Sequence, residues 1–204
     1  MSRSQKSLDR SDLCSDPISQ FRFWLQDAED AAVTMPIAMT LATANRQGRV
    51  SARVVLLRGI DERGFLFYTN YDSGKSLDLK SNSSVALVFH WHELARQIRI
   101  EGAVELLTAA ESDEYFASRP RGNQLAAHAS PQSRIVENRQ DLEDRFTEIE
   151  QKFKGMDVTR PANWGGYRVV PEMLEFWQEG EHRMHDRFRY RLENGYWVID
   201  RLGA

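Results

Sequence analysis

Between Ile37 and Leu107 the sequence carries five runs in which apolar and polar residues alternate, most of them closed by a short polar turn, and no other feature restricts the fold as much. The first three are IAMTLATA, RVSARVVLLRGI and FLFYTN, joined by the turns NRQG and DERG. The other two, SVALVFHWH and ARQIRIEGAVELL, follow a short helix, GKSLDLKS, that Ser73 can cap. Strands this close in sequence read as an antiparallel meander, and five of them with short turns favour a barrel or sandwich. After Pro161 the strand pattern returns in WGGYRVV, MLEFWQ, DRFRYRL and YWVIDRL, the last two joined by a hairpin turn at Glu193, Asn194 and Gly195.

Helices fill the remainder. Asp16 and Pro17 form a start signal, and Ile18, Phe21, Trp24 and Leu25 recur at helical spacing, which predicts an amphipathic helix ending before Pro36. AAESDEYFASR predicts another, with Tyr115 and Arg119 on one face. RPRGNQLAAHASPQS reads as a loop with room for a short helix. NRQDLEDRFTEIEQKF is a charged helix whose apolar stripe is Leu142, Phe146, Ile149 and Phe153. The fold class is therefore mainly β with α, and 204 residues suit one domain, placed at 13–204 behind a flexible tail at 1–12.

Composition excludes several functions. A net charge of -3 gives no bulk attraction to nucleic acid or to a membrane surface, so a basic site must be local. The single cysteine, Cys14, permits no internal disulfide and no CxxC motif, and the polar start has no apolar signal core; together these imply a cytoplasmic protein. SGKS resembles the end of a phosphate loop but has Thr69 where that motif requires glycine. There is no GxGxxG after a strand and no GxSxG elbow. His90 with His92 and His182 with His185 form close pairs that lack a third ligand at recognisable spacing, so no metal is expected.

The densest chemistry lies in EFWQEGEHRMHDRFRYR, residues 175–191. If Arg183 to Phe188 is extended, Arg183, His185 and Arg187 share one face. Such a face repels itself unless an anion, a carboxylate or an electron-rich ring sits among the charges, and Trp177 offers a ring nearby. Arg53, Arg58, Lys75 and Arg119 add cations suited to phosphate, while Gln97, Gln132 and Ser133 add donors suited to a ring edge or a phosphate. Arg53 and Arg58 differ by an odd number, so either a bulge turns one of them or they serve different ligands.

RVVLLRG, GFLFYTN, SGKS, RQIRIEG, EYFASRPRGNQ, SPQS, WGGYRV and EFWQEGEHRMHDRFRY, in this order and spacing, closely resemble the pyridoxamine 5'-phosphate oxidase family from about Asp12 to the end. The resemblance implies an FMN-binding split β-barrel with Greek-key strands. It also implies a homodimer with FMN at its interface, and oxidation of pyridoxamine or pyridoxine 5'-phosphate to pyridoxal 5'-phosphate with O2 as acceptor and H2O2 as by-product, a step of vitamin B6 salvage.

By the same resemblance the FMN contacts fall on Arg53, Val54, Val55, Leu56, Leu57, Arg58, Tyr68, Thr69, Lys75, Gln97, Gln132, Ser133, Trp177 and Arg187. The substrate contacts fall on Arg58, Tyr115, Arg119, Asn123, Arg183, Met184 and His185, with Arg183 and His185 against the pyridine ring as the catalytic pair. The chain departs from the family pattern at Arg58 (usually lysine), Gly74 (often arginine), Asn123 (serine), Met184 (leucine) and Glu179 (glycine), and it lacks an Arg-Glu-Tyr segment found near the start of some relatives. Two other functions fit the same features: a split-barrel flavin oxidase or reductase of another substrate, such as a phenazine precursor, and a non-catalytic carrier of FMN or pyridoxal phosphate.

Overall fold

The computed structural model describes residues 7–204. Helix α1, Pro17–Asp30, starts as expected: the Asp16 carboxylate accepts from the Ser19 N–H at 2.7 Å, and Pro17 occupies the first turn, where its missing N–H costs nothing. Its buried face carries Ile18, Phe21, Trp24 and Ala28. Phe21 packs edge-on against Phe65 and Phe89, each with ring centroids 4.8 Å apart, and Trp24 does the same to Phe176 at 5.1 Å. Each fully buried ring of this kind contributes about 1.5–3 kcal/mol of transfer free energy. Arg96 secures the outer side of the helix, with its guanidinium 4.4 Å from the Trp24 ring and 2.6 Å from Asp27.

Nine strands follow: β1 Ala38–Ala44, β2 Val50–Leu56, β3 Gly59–Ile60, β4 Phe65–Asn70, β5 Ser84–Trp91, β6 Arg96–Leu106, β7 Trp164–Gln178, β8 Asp186–Glu193 and β9 Tyr196–Arg201. All pairings are antiparallel, in the order β2-β1-β5-β6-β7-β4-β3, with β8 beside β7 and β9 beside β8. The path begins at β2 and ends at β3, yet only two residues separate those strands in the chain. Laid flat, seven strands would set the ends about 29 Å apart at ~4.8 Å per step. Three Cα steps reach at most about 11 Å. The sheet must therefore curl, and its seam lies at two consecutive residues: Leu57 N–H donates to Ile37 O at 2.9 Å, next to β1, while Arg58 N–H donates to Leu66 O of β4 at 2.8 Å.

Several sequence expectations change here. The first strands form no meander: β2 and β4 do not pair, β1 takes β5 as well as β2 and β4 takes β7 as well as β3, because closing the barrel joins strands distant in sequence, the Greek-key pattern. RVSARVVLLRGI breaks at the seam into β2 and β3. WGGYRVV and MLEFWQ are one 15-residue strand, β7. Pro171 is tolerated inside it because the pairing with β6 shifts register beside Gly102, so the ladder loses no regular bond there. A Cβ at residue 102 would strike the Val170 carbonyl, which is why glycine stands at that position.

The helical part comprises α2 Gly74–Ser81, α3 Ala109–Ser118, α4 Arg121–Ala129 and α5 Arg139–Lys152. The stretch expected as a loop with room for a short helix does hold one: QLAAHA forms most of α4 because Leu125 has a core to enter with Phe116, Phe153, Val158 and Trp164. The expected tail is anchored from Leu8 onward: its N–H donates to Asp186 at 2.9 Å, its carbonyl and the Asp9 carboxylate each accept from Arg201 at 2.9 Å, and its side chain is buried. Residues 1–6 of that tail lie outside the described residues. Among the described residues no helix is long and apolar enough to cross a membrane.

Candidate active site

The two faces of the sheet divide the expected site residues. In antiparallel pairs, residues directly opposite one another point the same way. Arg53 is opposite Leu41, and the row continues through Leu87, Ile100, Leu174 and Tyr190, all buried in the core. Arg53 thus points to the inner face, at the mouth of the barrel. Gln97, Trp177 and Arg187 form another row, on the opposite, outer face.

At the mouth, Arg53, Lys75, Gln132 and Ser133 line a cavity of about 490 Å³ together with Asn45, Arg49, Ser51, Gly74 and Asp78. Arg53 donates to Leu41 O at 3.1 Å, to the Thr43 hydroxyl at 2.8 Å and to the Ser51 hydroxyl. Lys75, on the first turn of α2, reaches only neutral acceptors: Thr69 Oγ1 at 2.9 Å, Ser73 Oγ at 3.0 Å and Gln132 Oε1 at 3.4 Å. It makes no ion pair among the described residues. Burial, assisted by the charge of Arg53, lowers its pKa to about 8. Burial also lowers the Arg53 pKa, against the opposing pull of Asp78. A desolvated ammonium beside a guanidinium, with Asp78 as the one carboxylate in the cavity and bonded to neither, is an arrangement that an anion stabilises. Ser73, expected as the side-chain cap of α2, makes no capping bond; its hydroxyl serves Lys75 and Ser76 instead.

Arg58 lies beyond the seam in another cavity, about 550 Å³, with Tyr115, Leu57, Gly59 and Ile60 and with Arg22, Gln26 and Glu29 of α1. The parity problem between Arg53 and Arg58 is resolved by the break in the strand, which sends them to different cavities. Tyr115 stacks on Tyr68 at 3.8 Å, and Tyr68 on Trp164 at 5.6 Å. Burial, then the neighbouring Tyr115, raises the Tyr68 pKa to about 12. The guanidinium of Arg119 lies 4.5 Å from the Trp164 ring; burial lowers its pKa, Tyr115 opposes that shift, and Arg58 adds a smaller lowering effect. Its Nη1 is buried and has no hydrogen-bond partner among the described residues. Asn123 is exposed on α4. Of the remaining seam residues, Leu57 is buried in the core, Val55 packs against it, Leu56 is partly buried and Val54 is exposed on the outer face.

On the outer face the cationic stretch is not extended. Glu181–Arg183 is a 3-10 turn in which His182 and Arg183 take φ of 54° and 65°, a region that costs a non-glycine residue about 1 kcal/mol or more. Regular alternation starts only at Asp186, leaving Arg183 and Met184 exposed at the rim. The self-repulsion expected there is relieved in two ways. Glu175, nearly buried, accepts from Arg187 Nε at 2.9 Å and from Arg99 at 3.2 Å, and the Trp177 ring lies 4.7 Å from that of His185. His185 Nδ1 accepts from the Gly180 N–H at 3.2 Å, so the neutral imidazole carries its proton on Nε2. Glu175 is legible in the sequence two positions before Trp177 on the same strand face, but as an anion it does not belong to the pattern of cations that marks the site. Arg49, beside the NRQG turn, carries no local signal that separates it from a surface arginine.

A larger, mostly apolar cavity of about 570 Å³ between Tyr71, Leu79, Leu106 and Tyr167 contains none of the expected residues; charge and unpaired donors mark the site better than volume does.

The family model described as pyridoxamine 5'-phosphate oxidase matches residues 25–153, and the one described as the pyridoxine 5'-phosphate oxidase C-terminal dimerisation region matches residues 164–203. The chain is 52% identical over 202 residues to the pyridoxine/pyridoxamine 5'-phosphate oxidase of Salinibacter ruber, covering 98% of this chain and 94% of that protein. It is 48% identical over 199 residues to the enzyme of that name from Synechocystis, covering 98% and 93%. Among solved structures it is similar to PhzG of Burkholderia lata in complex with tetrahydrophenazine-1-carboxylic acid, with a TM-score of 0.93 and 32% identity, covering 99% of this chain and 100% of that one.

Proposed function

The chain belongs to the pyridoxamine 5'-phosphate oxidase family, and from that membership we propose that it oxidises pyridoxamine and pyridoxine 5'-phosphates to pyridoxal 5'-phosphate as a homodimer, with FMN as cofactor. The observation that carries the reading is the unpaired, buried Nη1 of Arg119 beside Tyr115 and within electrostatic reach of Arg58, an anion grip in a chain so similar along its whole length to oxidases of that name.

The residues present fit a phosphate-bearing flavin. Arg53, Lys75, Gln132, Ser133 and Thr69 would hold its phosphate, since Lys75 otherwise remains a desolvated cation with only neutral hydrogen-bond partners. Gln97, Trp177 and Arg187 would border its ring from the second chain, because within one chain they face away from Arg53. Bound there, FMN would supply the two-electron acceptor chemistry of the oxidation, with O2 as the final acceptor and H2O2 as by-product.

The protein's own contribution is placement. Arg58, Tyr115, Arg119 and Asn123 would anchor the substrate phosphate at one end. Arg183, Met184 and His185 would lie against the pyridine ring at the other, and fixing both ends orients C4' for transfer. His185 presents an Nε2 donor while Gly180 holds its Nδ1, and the Arg183 guanidinium stabilises negative charge that develops on the ring.

The likeness to PhzG raises a phenazine-type substrate as a second reading. Its carboxylate carries less charge than a phosphate monoester, and two guanidiniums with a tyrosine suit the dianion better. One experiment separates these readings: purify the protein, record its flavin absorbance, release and identify the flavin, and assay aerobic conversion of both B6 phosphates. A yellow protein that forms pyridoxal 5'-phosphate is expected. A colourless protein that takes up no FMN overturns both oxidase readings, and a yellow one inert on both phosphates leaves another substrate or a carrier role.

A further inference from the structure

We propose that Arg49, on the hairpin between β1 and β2, is a third cationic contact to the flavin phosphate and sets the protein's preference for FMN over unphosphorylated flavin. The inference rests on the reading of the barrel-mouth cavity as the phosphate site.

Three observations carry it. The first is placement. Ser51 and Arg53 alternate onto one face of β2, Arg49 immediately precedes that strand, and all three line the cavity with Lys75 and Asp78. The second is that the hairpin is braced. Asn45 Oδ1 accepts from the N–H groups of both Gln47 and Arg49 at 3.0 Å, and the Asn45 N–H donates to Arg49 O at 3.1 Å, so the backbone that launches the side chain is fixed. The Arg49 guanidinium itself makes no ion pair and no hydrogen bond among the described residues.

The third is charge. Asp78 is a permanent member of the cavity, held by the hydroxyls of Thr43 at 2.8 Å and Ser51 at 3.1 Å, and it offsets one of the two charges on Arg53 and Lys75. Lys75, with its pKa near 8, is not fully charged at mildly alkaline pH. Without Arg49 the cavity therefore has a net charge of at most one, too little for a phosphate monoester that carries about -1.5 to -2 at pH 7. With Arg49 the three cations exceed the one carboxylate by two, and the charges match. The planar fork of Arg49 adds two donors at the open side of the cavity, where Arg53 and Lys75 are committed to protein oxygens.

The test is flavin binding to the flavin-stripped full-length protein, followed by quenching of flavin fluorescence, with FMN and riboflavin titrated in parallel. Arg49→Ala is expected to weaken FMN about tenfold or more while leaving riboflavin affinity unchanged, and Arg49→Lys is expected to recover part of the loss. Gly74→Arg in the Arg49→Ala background should restore FMN affinity from a different element, since a Cβ at residue 74 meets only Ser133 Oγ, at 3.9 Å, and has room to extend into the cavity. Unchanged FMN affinity in Arg49→Ala, or an equal loss for riboflavin, overturns the proposal and leaves the flavin site itself standing. Failure of the unaltered protein to bind FMN overturns that site as well.

Discussion

Arg53 and Trp177 point from opposite faces of one curled sheet, Arg53 in the row that runs through Leu41 into the core and Trp177 in the outer row with Gln97 and Arg187. Residues on opposite faces of a packed sheet cannot close on one small ligand, so a flavin site using both needs two chains. An isologous dimer then contains two equivalent sites, each built from the inner face of one chain and the outer face of the other.

This yields a complementation test. Arg53→Ala should lose flavin, and Arg183→Ala should stay yellow but lose on the order of a hundredfold in turnover efficiency, because orientation of the ring is lost. In a heterodimer of the two, one site carries both substitutions and the other carries neither. Random mixing of the unfolded and refolded variants should therefore recover roughly a quarter of the unaltered activity. Recovery of none would place both contributions within one chain.

Much of this architecture was readable in the sequence, and the misreadings share one cause. The strands at Ala38–Ala44, Phe65–Asn70 and Ser84–Trp91 and the hairpin at Asn194 and Gly195 follow from local alternation and turn chemistry. The pairing of β4 with β7 does not, because it joins residues about a hundred positions apart and only barrel closure demands it. The turn at Glu181–Arg183 was hidden for a similar reason. Alternation of Arg183, His185 and Arg187 suggested a strand, whereas His182 and Arg183 take left-handed conformations that no local pattern records. The cationic residues are visible in the sequence as types, but their division between two cavities and two faces requires the seam at Leu57 and Arg58.

If Lys75 holds the flavin phosphate as proposed, it should make flavin binding pH-dependent in a definite direction. Its pKa is lowered to about 8 by burial and then by Arg53, so its ammonium is lost as pH rises through that value. FMN affinity should fall between pH 7.5 and 9 on the order of several-fold, and riboflavin affinity should not, as fluorescence titration at fixed ionic strength would reveal. Unfolding does not explain the loss. A lysine whose folded pKa lies below its unfolded value makes the unfolded state the one that binds more protons in this range, so its contribution to stability rises with pH while binding weakens.

Arg168 should be the most acid-sensitive anchor of the helix that carries Tyr115. Its guanidinium, almost buried on β7, bonds Asp61 at 2.7 Å, Glu105 at 2.7 Å and Glu111 at 3.1 Å, tying together the turn before β4, strand β6 and the first turn of α3. Burial alone would raise the Asp61 pKa, but hydrogen bonds from Arg168 and from the Arg63 and Gly64 backbone hold it below the usual range. Thr108, more than Arg168, does the same for Glu111. Depressed carboxylates contribute stability above their unfolded pKa of about 4 and lose it as pH falls through the lower folded value. Arg168→Gln should cost toward the low end of about 3–5 kcal/mol at pH 7, since the stranded carboxylates can reach water. Urea unfolding at pH 7 and pH 4 should show the deficit narrowing at the lower pH; a constant deficit would mean that Arg168 acts by packing alone.

Gly180 is where a single methyl group should separate catalysis from folding. A Cβ on this residue would collide with the Met184 carbonyl across the turn, and its N–H is the donor to His185 Nδ1. The turn lies at the rim, with Glu181 to Met184 exposed, so its displacement removes little from the core. Gly180→Ala should therefore leave the thermal midpoint within a few degrees of the unaltered protein, while moving Arg183 and His185 by the ångström-scale distance that costs about a hundredfold in rate. Because Trp177 and Arg187 are held by the β6 and β8 ladders and by Glu175, flavin binding should persist. Normal turnover in a well-folded Gly180→Ala protein would show that His185 does not need this turn. Loss of flavin together with turnover would instead show that the turn supports the cofactor wall as much as the substrate ring.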